Sequence, residues 1–77
     1  MNAEEEKQIK ILLSPEASSG QQKVALTWLG NYLEEGDILN LPASKRTLAA
    51  LKTYALSSVA DSGLRAKARK LVKQYKR

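Results

Sequence analysis

Thirteen lysines and arginines, eight carboxylates and three tyrosines carry all the ionisable side chains of this 77-residue sequence, which has no histidine and no cysteine. That inventory removes most site chemistry at once. Zinc centres are normally built from Cys and His, and nucleophilic triads and neutral-pH proton shuttles use one or the other. Disulfides cannot form. What remains for general acid/base work is carboxylates and lysines. Glu4, Glu5 and Glu6 form a run at the N-terminus, whereas Glu34, Glu35 and Asp37 fall at an expected helix end, and both clusters read as solvated. No enzyme, no cofactor and no metal is therefore expected.

The charges left over are suited to binding. Residues 1 to 40 hold seven acids and three bases, net −4, and residues 41 to 77 hold one acid, Asp61, and ten bases, net +9. Seven of those bases lie in the last fourteen residues, LRAKARKLVKQYKR, a stretch without an acid. There Leu64, Ala68, Leu71, Val72 and Tyr75 recur at i, i+4, i+7, i+8 and i+11, one face of a helix. Arg65, Lys67, Arg69, Lys70, Lys73, Lys76 and Arg77 take the other positions. Such asymmetry points to a partner selected by negative charge. The bland reading is that these cations complement a helix C-terminus and keep a small protein soluble.

A chain of this length is one domain with a marginal core, so each amphipathic segment is needed to build it. No stretch approaches the ~20 apolar residues that span a bilayer, and the N-terminus is acidic where a signal peptide is basic; a soluble, intracellular protein is expected. Four helices are predicted. The first follows an Asn2/Glu5 capping box and runs to Leu13 with Ile9, Ile11 and Leu12, before Ser14 and Pro15. The second is capped by Ser18 or Ser19 and ended by Gly36, with Val24, Ala25, Trp28, Tyr32 and Leu33 on one face and Leu26 and Leu29 widening it. Gly30 inside it suggests a close helix approach. DILNLPAS reads as a loop whose Ile38, Leu39 and Leu41 tuck under the bundle, or else form the lip of a pocket. The third helix runs from Lys45, capped by Ser44, to about Ala60, with Leu48, Leu51, Ala55, Leu56 and Val59 apolar. Asp61 or Ser62 caps the fourth, which packs on the third across a short link. The fold expected is all-α, a compact four-helix bundle over residues 1–77, with 1–14 a short N-terminal helix and 20–77 the bundle proper.

From residue 24 onward the order of features resembles a known family. A Leu-containing loop before Pro42 is followed by LKTYALSSV at 51–59 and GLRAKARKLVKQYKR at 63–77. This is similar to the N-terminal domain of transcription elongation factor TFIIS, the LW domain, found also in elongin A. Thr53 and Val59 keep the family's spacing, with Leu56 and Ser57 near its apolar and small positions, and Arg65 to Lys76 matches its closing Ala/Lys/Leu helix. Two departures stand out: Tyr75 replaces the usual Trp, and the Val59–Leu64 connection is short. The resemblance implies a noncatalytic nuclear adaptor in transcription elongation or chromatin regulation. It would dock disordered peptides carrying a hydrophobic anchor and acidic flanks. On that reading Lys45, Arg46, Lys52, Arg65, Lys67, Arg69 and Lys70 form a basic rim, and Ile38, Leu41 and Leu48 an apolar slot. A monomer is expected, without membrane association.

Two other readings compete. A basic helix on a small helical domain of pI near 9.7 has the electrostatic footprint of nucleic-acid binding, weak and nonspecific here because base-reading Asn is absent from that helix. The second is a structural subunit that docks through the first helix on an already complete core.

Overall fold

Four short polar side chains start the four helices of the computed structural model, which describes residues 2–57 and 61–75. The Asn2 side-chain carbonyl accepts from the N–H groups of Glu4 and Glu5 at 2.9 and 3.3 Å and opens α1, Ala3–Leu13. Ser18 opens α2, Ser19–Ile38, in a reciprocal capping box: Gln21 N–H donates to Ser18 Oγ at 3.1 Å, and Ser18 N–H donates to Gln21 Oε1 at 2.9 Å. Ser44 Oγ accepts from Thr47 N–H at 3.3 Å to open α3, Lys45–Ala55. Asp61 Oδ1 accepts from Gly63 and Leu64 N–H at 2.9 and 3.2 Å to open α4, Ser62–Tyr75. Each cap satisfies donors that the first helical turn leaves unpaired. Among the described residues there is no strand, and the chain is an all-α four-helix bundle.

α1 packs on α2 and α3, and α4 packs on α3 and α2. All four helices feed one core: Leu12 from α1, Ala25, Leu26, Leu29 and Leu33 from α2, Leu51, Tyr54 and Ala55 from α3, Ala68 and Tyr75 from α4. Ile9, Ile11, Leu64, Leu71, Val72 and Trp28 cover its margins, with Trp28 stacked on Tyr32 at 5.2 Å. The radius of gyration, 11.5 Å, equals the roughly 11.5 Å of a packed domain this long, so α1 is folded in and does not hang free. A core that includes Leu12 is not complete without α1, which removes the premise of docking through that helix alone. Gly30 faces α4 without being required by a close approach: a Cβ there would lie 3.4 Å from the Leu71 Cδ1 side-chain end, an ordinary contact.

Several helix ends and faces depart from the sequence expectation. α2 does not stop at Gly36 but continues to Ile38, and Asn40 takes the left-handed conformation at φ 58°. Leu41 N–H donates to Gly36 O at 2.8 Å and Asn40 N–H to Asp37 O at 3.0 Å, the paired bonds of a Schellman ending. Leu41 would normally pack on the residue at Gly36, which has no side chain to offer. Ile38, Leu39 and Leu41 consequently do not tuck under the bundle; they are 74%, 68% and 57% exposed. α3 ends at Ala55, short of Ala60, as Ser57 N–H turns back to Tyr54 O at 3.1 Å. Leu56 is 77% exposed instead of facing the core, and Val24 is also exposed. Val59 and Ala60, with the Thr53/Val59 spacing, lie outside the described residues. The acidic run is not wholly solvated either, because Glu5 is buried.

Candidate docking groove

The position of α3 is set from its N-terminus. Glu5 Oε2 accepts from Ser44 Oγ and from Thr47 Oγ1, both at 2.5 Å, and Thr47 is fully buried. Ser44 thus accepts a helix N–H and donates to Glu5, tying the start of α3 to the first turn of α1. A carboxylate at a helix N-terminus also meets the positive end of the helix dipole. Beside this clamp Arg46 forms an ion pair with Glu6. Further along, Tyr54 OH donates to Gln22 Oε1 at 3.0 Å and joins α3 to α2. Burial holds the Tyr54 phenol above its ordinary pKa; the Asp61 carboxylate adds to the rise and the Arg65 guanidinium opposes it.

With α3 held in this way, its opposite stripe is left to meet α4. Lys45, Leu48, Ala49, Lys52 and Ala55 follow one another at helical spacing along α3, and Arg69, Val72 and Lys73 do so along α4. Between them, with Leu56 also in the lining, lies a groove of about 460 Å³. Leu48 and Val72 are partly buried against the core and form the floor, the two alanines keep the channel open, and four cations stand along its sides. Among the described residues no carboxylate lines it. The groove therefore offers apolar area to an anchor and positive potential to its flanks.

The residues predicted for rim and slot are divided by this geometry. Lys45, Lys52, Arg69 and Leu48 come together in the groove. Arg46 turns to α1 and Glu6, and Arg65 is half-buried, its Nε enclosed without a hydrogen-bond partner among the described residues. Lys67 lines a different concavity between α2 and α4, with Gly30, Glu34 and Leu71, and Lys70 is exposed outside both. Leu41 lines a smaller hollow of about 160 Å³ at the end of α2 with Leu39 and Pro42, and Ile38 is exposed beside it. Compared with protein-family models, curated proteins and solved structures, the chain matches none. The family resemblance accordingly rests on its residue pattern alone. Lys73, Val72 and Leu56 were missed as groove residues. Lys73 follows Arg69 by four positions and was legible; Val72 and Leu56 were assigned to the core because their faces are apolar. Among the described residues no carboxylate group is placed to hold a metal ion, and no helix is long and apolar enough to cross a membrane.

Proposed function

We propose that the protein is an interaction adaptor whose α3/α4 groove docks short disordered peptides with a hydrophobic anchor and acidic flanks. The observation that carries this reading is an apolar floor bordered by Lys45, Lys52, Arg69 and Lys73 with no acid among the described residues of the lining. An anchor side chain supplies desolvation energy on Leu48 and Val72, while the cations attract acidic flanks, speed encounter and disfavour basic partners. The resemblance of residues 24–77 to the TFIIS N-terminal domain family supplies the setting: peptides of transcription-elongation or chromatin factors, in the nucleus.

The test is an NMR titration of the labelled protein with an acidic peptide bearing a central Phe and, separately, with a short DNA duplex. Saturable shifts at 45–56 and 69–73 are expected with peptide. Lys52→Glu together with Arg69→Glu should weaken binding about tenfold or more, mainly through slower association, and flatten its salt dependence. Lys67→Glu, on the other groove, should change affinity less than about twofold. Stronger shifts with DNA along Lys67 and Lys70, lost as salt rises, would establish the nucleic-acid reading in its place.

A further inference from the structure

The described surface has a second apolar feature, and its chemistry is the inverse of the groove's. Ile38, Leu39 and Leu41 stand exposed at the end of α2, directly after Glu34, Glu35 and Asp37. With Leu39 and Leu41 on the rim of the hollow at the end of α2, this exposed rim, here the ridge, has a fixed backbone. The Schellman bonds from Leu41 and Asn40, with Leu39 N–H donating to Glu35 O at 3.1 Å, fix its backbone, so little conformational entropy is lost when it binds. Three acidic residues and three large aliphatic ones in eight positions are what the groove is suited to accept. The ridge and the groove share no residue. Within one chain only Pro42–Ser44 separates Leu41 from Lys45, too short a link for the ridge to enter its own groove.

We infer that the groove receives the acidic-apolar ridge of a second copy of this chain, an inference that rests on the groove reading above. Leu39 and Ile38 lie on the Leu48/Val72 floor, and Glu34 and Glu35 face Lys45, Lys52, Arg69 and Lys73. The contact is heterologous: one copy gives its ridge, the other its groove. Peptide and second copy then compete, so a concentrated pool of the protein masks its own docking site and a dilute one exposes it. Charge complementarity makes the pairing strong at low salt and weak at high salt. The monomer expected from the sequence is, on this view, the dilute form.

Sedimentation velocity from low micromolar to millimolar protein, at low and high salt, tests it. The wild type should rise above its 8.5 kDa monomer mass with concentration and return to it with salt. Leu39→Glu removes the ridge at an exposed position, and Lys52→Glu with Arg69→Glu removes the groove; each variant alone should stay monomeric with wild-type helicity. Mixed, they should restore one heterodimer, because the first retains a groove and the second a ridge. A wild type that is monomeric at millimolar concentration and low salt overturns the inference, as does self-association that persists in Leu39→Glu. The acidic Phe peptide, titrated into Leu39→Glu, separates the two claims. Peptide binding with a monomeric wild type leaves the groove reading standing and removes self-pairing; absence of both removes both.

Discussion

Glu5 differs from its neighbours by its place on the helix, not by its type. It falls four residues before Ile9 and seven before Leu12, on the stripe that meets the core, whereas Glu4 and Glu6 are rotated away. That spacing was readable, but nothing in the sequence said that two hydroxyls some forty residues later would satisfy a buried carboxylate. Glu5→Ala should cost about 1.5–3 kcal/mol in urea unfolding, the range for hydrogen bonds to a charged group, since it strands Ser44 and Thr47. Glu4→Ala, at an exposed site, should stay within about 0.5 kcal/mol. Equal small losses would mean that water replaces Glu5 adequately. Tyr54 gives a pH prediction. Its phenol is held neutral above its ordinary pKa by burial and by Asp61, so the unfolded chain loses this proton first. The stability it contributes is complete below the ordinary tyrosine pKa and falls as pH rises through the folded value. Alkaline unfolding should therefore be less steep in Tyr54→Phe than in the wild type. An unchanged alkaline slope would show that other groups govern it.

Helix starts were legible, as was the end of α1 before Ser14 and Pro15, but the ends of α2 and α3 were not, for a physical reason. A cap is a local act of one side chain on N–H groups two or three residues away, so Asn2 and Ser44 could be read directly, and the other two caps were narrowed to Ser18 or Ser19 and to Asp61 or Ser62. An ending depends on which later residue adopts the left-handed conformation, and here Asn40 takes that role from the more obvious Gly36. The displaced ending moves Leu39 and Leu41 from expected core to exposed ridge, and the early stop of α3 does the same for Leu56. Gly30 was read as a close approach, which the distance to Leu71 does not require. At 3.4 Å an alanine Cβ makes an ordinary contact, so Gly30→Ala should raise stability by about 0.5–1 kcal/mol through helix propensity. Gly30→Val should instead lose about 1–3 kcal/mol by pushing Leu71 and α4 outward. Thermal melts of the pair measure both. Destabilisation by alanine would mean that α4 sits closer to α2 than this packing allows.

At the scale of the whole molecule, the basic C-terminal half was visible from charge alone, but its division into a groove side, a Glu6-paired Arg46 and a half-buried Arg65 depends on tertiary packing. The same holds for α1: the sequence shows a short N-terminal helix beside a bundle proper at 20–77, and only the packing places its Leu12 inside the core that all four helices share. For a domain of this size, stability of about 0.05–0.15 kcal/mol per residue amounts to roughly 4–12 kcal/mol. Losing a buried leucine such as Leu12 costs about 2–5 kcal/mol, and Ile9 and Ile11 add part of the ~1.5–3 kcal/mol that full burial of each would give. Removing Glu5 also leaves the Thr47 hydroxyl buried without its acceptor. These losses together match the whole margin, so a fragment beginning at Pro15 should not fold cooperatively. Its circular dichroism should show reduced helicity and a broad, featureless melt, and adding the α1 peptide in excess should restore a sigmoidal transition by mass action. A fragment that melts like the full chain would mean that α2, α3 and α4 close a core without Leu12. The Glu5 contact would then position α3 without being needed to hold the bundle together.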